Sequence, residues 1–179
     1  QQSLEHSLAL AHEIGSDKWN CMASGMLALV SLAQHDVPRA QSLLTETLRP
    51  DLPPETVGQW LICSARAELA LARNDPGQAL EILDQLISSA GHHSEGHRNP
   101  RLSHVHGQAL AALGQAAEAE AVLQAAQEIA RAQGLRPALW RICITLGKLY
   151  QTQAREAEAE HLFSTARTLI EDLAANITD

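Results

Sequence analysis

Four alanines return along this chain at almost constant distance. Ala40, Ala79, Ala119 and Ala159 lie 39, 40 and 40 residues apart. Each stands in the same local pattern. Leu44, Leu83, Leu123 and Phe163 follow by four positions, and Thr47, Leu86, Ala126 and Ala166 by seven. Ala28, Ala67, Gly107 and Gly147 precede by twelve. Steps of four and seven place residues on one face of a helix. The small residue twelve positions earlier belongs to a separate helix. A pattern that recurs at this period describes an array of helix pairs, in which each pair buries its apolar face against its neighbours.

Helix boundaries can be read from capping chemistry. Asp36, Asp75 and Asn99 are suited to accept hydrogen bonds from the free amides of a first turn. Pro76 and Pro100 then fall at the first helical position, where no backbone N–H is required. Pro54 and Pro137 mark two further starts. Gly15, Gly91 and Gly134 stand where a helix should end in a left-handed residue. These signals predict nine helices, at about 2–14, 18–34, 37–48, 54–73, 76–90, 99–113, 116–133, 136–152 and 155–175. The first reads as the second helix of an earlier pair. Its inward stripe would be Leu4, Leu8 and Ala11, with Ile14 as an optional fourth. The expected organisation is one domain over 1–179: a half-repeat at 1–15, then repeats at about 18–50, 54–91, 99–134 and 135–176.

Composition narrows the class. The chain is 45% hydrophobic and 19% charged, as a globular protein is, and only 3% aromatic. Alanine and leucine, both strong helix formers, dominate the apolar set. A formal charge of -8 argues against a general polyanion binder, and no recognition-helix motif is present, so direct nucleic-acid binding is not expected. No apolar run reaches membrane-spanning length, so no membrane partner is expected. A start at Gln1 reads as a fragment of a longer protein. Three widely spaced cysteines, Cys21, Cys63 and Cys143, suit reduced thiols and a cytoplasmic location.

The repeat pattern resembles a known family. Gly147, Tyr150, Ala159, Phe163 and Ala166 reproduce the spacing of the tetratricopeptide (TPR) repeat, and Gly107, Leu110, Ala119, Leu123 and Ala126 repeat it with leucine in place of tyrosine. The TPR unit is a 34-residue helix-turn-helix; the present period is five or six residues longer. The resemblance spans nearly the whole chain and implies an all-α, right-handed α–α superhelix. The stretches LALAHEIGSDKW and LWRICITLGKLYQTQAREAEAEHLFSTARTLIEDLAANI are also similar to the helical sensor region of large bacterial ATP-dependent transcriptional and signalling regulators. That similarity implies a non-catalytic scaffold binding a protein or peptide segment, or a small effector, within a larger signalling protein. No G-x-x-x-x-G-K-[ST] phosphate loop occurs, so nucleotide hydrolysis by this segment is not expected.

In a TPR array the first helix of each pair lines the concave face. Resemblance and helical phase together assign Met22, Gly25 and Leu29 to it, then Leu61, Ser64 and Glu68, then Arg101, His104 and Gln108, then Arg141, Ile144 and Lys148. The face changes from apolar to basic. Glu68, Arg101, His104, Gln108, Arg141 and Lys148 are the candidate ligand contacts, suited to an acidic or carboxylate-bearing peptide. An ordinary solvated face with scattered charge remains an equal alternative.

Other constellations carry less. His92, His93, His97, His104 and His106, with Glu95, crowd one segment, as metal ligands do. His104 and His106 project about 200° apart on a helix, and neither a cysteine nor an H-E-x-x-H spacing supports them, so neither a metal nor a cofactor is expected. Cys63 and Cys143 share one repeat slot, which favours packing over thiol catalysis. Trp60 and Trp140 share another, with Trp19 two residues ahead of it. They read as wedges between repeats, with a ligand-lining role as the alternative. Glu118, Glu120, Glu156, Glu158 and Glu160 read as a solvated rim near helix N-termini. Two other functions stand beside the scaffold reading. One is self-association as a homodimer through Leu4 and Leu8. The other is an enzyme built on helices, for which no convergent set of ligands is found.

Overall fold

The computed structural model describes residues 2–46, 57–89 and 99–175. The described residues form nine helices and no strand. These are α1 (Gln2–Ile14), α2 (Asp17–Ala33), α3 (Val37–Glu46), α4 (Val57–Ala72), α5 (Pro76–Ser89), α6 (Pro100–Ala112), α7 (Ala116–Ala132), α8 (Arg136–Thr152) and α9 (Glu156–Ala175). None is long and apolar enough to cross a membrane. The expected elements are present, and their ends coincide or differ by one residue where both are described. Thr47, Pro54, Gly91, His92, His93, Glu95 and His97 lie outside the described residues.

Caps form where the sequence places them. Asp36 Oδ1 accepts from the Arg39 amide at 3.1 Å, Asp75 Oδ1 from Gln78 at 3.0 Å, and Asn99 Oδ1 from Arg101 at 3.1 Å. Each satisfies a donor that the first helical turn cannot pair internally.

The turns share one geometry. Six described residues have positive φ: Gly15, His35, Asn74, Gly114, Gly134 and Ala154. Four of them, His35, Asn74, Gly114 and Ala154, recur at the repeat spacing, between the two helices of each pair. After each, the next amide reaches back five residues: Asp36 to Ser31, Asp75 to Ala70, Gln115 to Leu110 and Arg155 to Tyr150, at 2.9–3.0 Å. Gly15 and Gly134 are followed by the same bond, Ser16 to Ala11 and Leu135 to Ala130. This is the Schellman arrangement, in which a left-handed residue lets the chain reverse while the last carbonyls stay paired. The residue that closes the turn also opens the next helix, since Ala40, Ala79, Ala119 and Ala159 donate to the carbonyls of Asp36, Asp75, Gln115 and Arg155. Each hairpin is therefore tight and nearly invariant.

Contacts group the chain into two compact units, Gln1–His92 and His93–Asp179. In the first, α1 packs on α2, and the pairs α2–α3 and α4–α5 meet through α2 against α4 and α3 against α4. Glycines permit the α2–α4 approach. A Cβ on Gly25 would stand 3.0 Å from Leu61 Cγ, and one on Gly58 would stand 3.0 Å from Cys21 Cβ and from the Lys18 carbonyl. Around this contact Ala28, Leu29, Ala40, Leu44, Ile62, Ala65 and Leu69 form a continuous core. Ala11 is buried, with Leu4 and Leu8 half-buried, but Ile14 departs from the expected stripe and is 74% exposed.

In the second unit, α6–α7 and α8–α9 are the pairs, joined by α7 against α8 and α6 against α8. The repeat's small-residue slot explains itself here. A Cβ on Gly107 would overlap the Leu123 side chain, and one on Gly147 would fall 2.5 Å from the Phe163 ring. Glycine on the first helix makes room for the large residue on the second, and Leu123, Ala126, Ala159 and Ala166 are buried as a result.

These observations yield two stability predictions. Ala154→Gly should raise unfolding stability by about 0.5–1 kcal/mol in denaturant titrations, because it removes a left-handed Cβ, and Gly114→Ala should lower it by a similar amount. Gly107→Val should cost about 2 kcal/mol by overpacking against Leu123; an unchanged unfolding midpoint would show that this packing is not tight.

Candidate functional site

The six candidate contact residues fall in both units. Glu68 is half-buried on α4 of the first unit; Arg101, His104 and Gln108 on α6, with Arg141 and Lys148 on α8, belong to the second. Three other residues assigned to the concave face are interior. Gly25 and Leu29 are buried in the first unit's core, and the buried Ser64 hydroxyl donates to the Trp60 carbonyl at 2.8 Å. Close α2–α4 packing consumes that part of the face.

In the second unit the α6–α8 contact is polar. His104 Nε2 lies 2.8 Å from Thr145 Oγ1, and the Thr145 hydroxyl is 3.2 Å from the Arg141 carbonyl. The imidazole is thus clamped between two helices. Burial, then the positive charges of Arg141 and Arg101, push its pKa down to about 4. At neutral pH His104 is therefore an uncharged polar group beside two permanent cations. Arg141 is exposed and lies across the Trp140 ring, 5.2 Å from its centroid, so its guanidinium is presented as a plane. Lys148, two turns further along α8, is exposed; Gln108 is half-buried on α6. Among the described residues neither Arg141 nor Lys148 takes part in an ion pair. The structure brings Arg101, His104 and Arg141 together. It adds Thr145, which the stripe through Ile144 passed over by one position; a hydroxyl among Met26, Ala65 and Val105 in its repeat slot was the available signal.

The acidic rim is more structured than expected. Arg155 bonds Glu120 at 2.9 Å and Glu158 at 2.6–2.7 Å, and stacks on Tyr150 at 3.8 Å from the ring centroid. Those hydrogen bonds hold both carboxyls below the usual range. Gln124 donates to Tyr150 Oη at 2.9 Å, which completes a cluster linking α7, α8 and α9. Beside it lies a cleft of about 470 Å³ with Leu146, Tyr150 and Leu162 in its floor and Gln127, Arg131 and His161 at its rim.

Cys143 is fully buried and receives the Gln127 amide at 3.3 Å, and burial raises the pKa of all three cysteines, away from nucleophilic character. Trp60 and Trp140 are half-buried, whereas Trp19 is 54% exposed with Lys18 above its ring. Among the described residues no group of three His, Cys, Asp or Glu side chains could hold a metal ion.

No family model and no curated protein sequence matches this chain. A solved structure does. The chain is similar to a Podosopora anserina kinesin light chain protein with nearly identical TPR-like repeats, with a TM-score of 0.61 and 22% identity, over 96% of this chain and 85% of that one. The fold is an all-α, TPR-like helical repeat.

His104 supplies a prediction. Its imidazole should titrate near pH 4 in an NMR titration, against an ordinary value of 6.5. Because the folded value is the lower one, neutral His104 favours folding above pH 6.5, and that contribution should fade as pH drops from 6.5 towards 4. Arg141→Ala should raise the midpoint; a midpoint already at 6.5 would place His104 in water.

Proposed function

We propose that this chain is a non-catalytic binding module that takes up a carboxylate-bearing peptide segment or small effector on the α6–α8 face. One observation carries this reading: two guanidiniums, Arg101 and Arg141, flank a neutral histidine that is locked to Thr145. Guanidinium groups bind carboxylates in a bidentate, directional way. Neutral His104, held to Thr145, keeps the two helices in register without adding a third positive charge beside the guanidiniums. Gln108 and Lys148 extend the surface along the same two helices.

The proposal includes the setting implied by the sequence resemblance, the cytoplasmic sensing segment of a larger bacterial ATP-dependent regulator. Bound ligand would bridge α6 and α8 and stiffen the contact between two successive pairs. That contact is where a neighbouring module would read occupancy.

The test is binding of a fluorescein-labelled, glutamate-rich peptide by anisotropy. Affinity should fall as salt rises. Arg101→Glu combined with Lys148→Glu should weaken binding by about tenfold or more while leaving the circular dichroism spectrum unchanged. Unchanged affinity would discard the α6–α8 face.

A further inference from the structure

The cleft beside Tyr150 lies between two helices that do not pack on each other. Helices α7 and α9 both pack on α8, and the gap of about 470 Å³ between them has α8 beneath it. A space of this size suits a small molecule. Its floor is apolar. Leu146 and Leu162 are buried, and the buried Tyr150 has its hydroxyl engaged by Gln124. The α7 wall is one helical stripe of Gln124, Gln127, Glu128 and Arg131. Its spacing of i, i+3, i+4 and i+7 is that of an apolar, packed helix face. Here the stripe is polar, because it faces the gap.

Part of this lining is spent inside the fold. Gln124 donates to Tyr150 Oη and to Glu120, Gln127 donates to Cys143 Sγ, and Glu158 is held by Arg155. Three ionisable groups of the rim are not spent. Among the described residues the side chains of Glu128, Arg131 and His161 take part in no hydrogen bond and no ion pair. Glu128 and Arg131 stand three apart on α7, a spacing at which such charges often pair, yet they do not. His161 stands on α9, on the other side of the cleft. The open rim thus offers one anion, one permanent cation and one imidazole above an apolar floor.

We propose that this cleft binds a small zwitterion with an apolar side chain, an α-amino acid of the leucine or phenylalanine type, with its carboxylate on Arg131, its ammonium on Glu128 and its side chain over Leu146 and Leu162. Guanidinium takes a carboxylate through two parallel hydrogen bonds, and a carboxylate takes an ammonium through charge-assisted ones. His161 adds a donor or acceptor from the α9 side. The ligand carries both charges because the unspent rim does. A simple anion is repelled by Glu128 and a simple cation by Arg131, so the same pair selects against each. The site is built from α7, α8 and α9 alone and shares no residue with the α6–α8 face, so it stands whether or not that face binds a peptide.

The test is calorimetry and NMR titration of the full chain with leucine and with phenylalanine. Saturable binding in the millimolar range is expected, with shifts at the Glu128, Arg131, Ala157 and His161 amides. Glu128→Gln and Arg131→Gln, both at exposed positions, should each weaken it by about tenfold with an unchanged circular dichroism spectrum. Ala157→Trp, on the exposed α9 wall, should fill the cleft and abolish binding. Isocaproate and isopentylamine, which keep the apolar body and one charge each, should bind about tenfold more weakly than leucine. Arg101→Glu combined with Lys148→Glu should leave leucine binding unchanged. No saturable binding of either amino acid overturns the proposal, as does binding that both Glu128→Gln and Arg131→Gln leave intact. Isocaproate or isopentylamine binding as tightly as leucine overturns it too, because a single charge would then suffice.

Discussion

Everything in this molecule depends on helices meeting closely enough for a leucine or phenylalanine on one to fill space vacated on the other. Gly107 under Leu123 and Gly147 under Phe163 are that contact in the second unit; Gly25 and Gly58 play the corresponding part between α2 and α4 in the first. A protein interior tolerates neither void nor overlap. The glycines are therefore fixed by the size of what faces them. Helix propensity alone would disfavour them at those positions.

The close contact would be of little use without turns that deliver the second helix at a constant angle. His35, Asn74, Gly114 and Ala154 provide that constancy by adopting one left-handed conformation with one hydrogen-bond pattern. Only one of the four is glycine. The conformation is imposed by the packing of the helices it joins, strongly enough to hold an alanine where isolated alanine would not stay. Local preference and tertiary demand agree at Gly114 and disagree at Ala154, and the pairing of helices decides the outcome.

Function then becomes a matter of which slots the packing leaves over. In the first unit the α2–α4 contact absorbs Gly25, Leu29 and Ser64, so positions that helical phase assigned to a ligand face are part of the interior. In the second unit the same geometry leaves a polar seam, and the His104–Thr145 bond holds two helices in register beside two guanidiniums. A side chain one step off the stripe, Thr145, fixes the orientation of one squarely on it, while burial and the two guanidiniums set its protonation.

The sequence by itself determined the helical class, the order of the elements, the capped starts at Asp36, Asp75 and Asn99, and the small-to-large pairing of the repeat. All of these follow from short-range chemistry: a carboxylate reaching an amide three residues on, or a period that returns one face to one neighbour. Only the tertiary structure decided which residues of that face stay open, because burial depends on a helix forty residues away. It alone showed Glu120 and Glu158 bound to Arg155, His104 neutral, and Trp19 and Ile14 uncovered. The physical reason is range. Capping and periodicity act within one or two turns, whereas exposure, charge pairing and proton affinity are set by whatever the fold brings alongside.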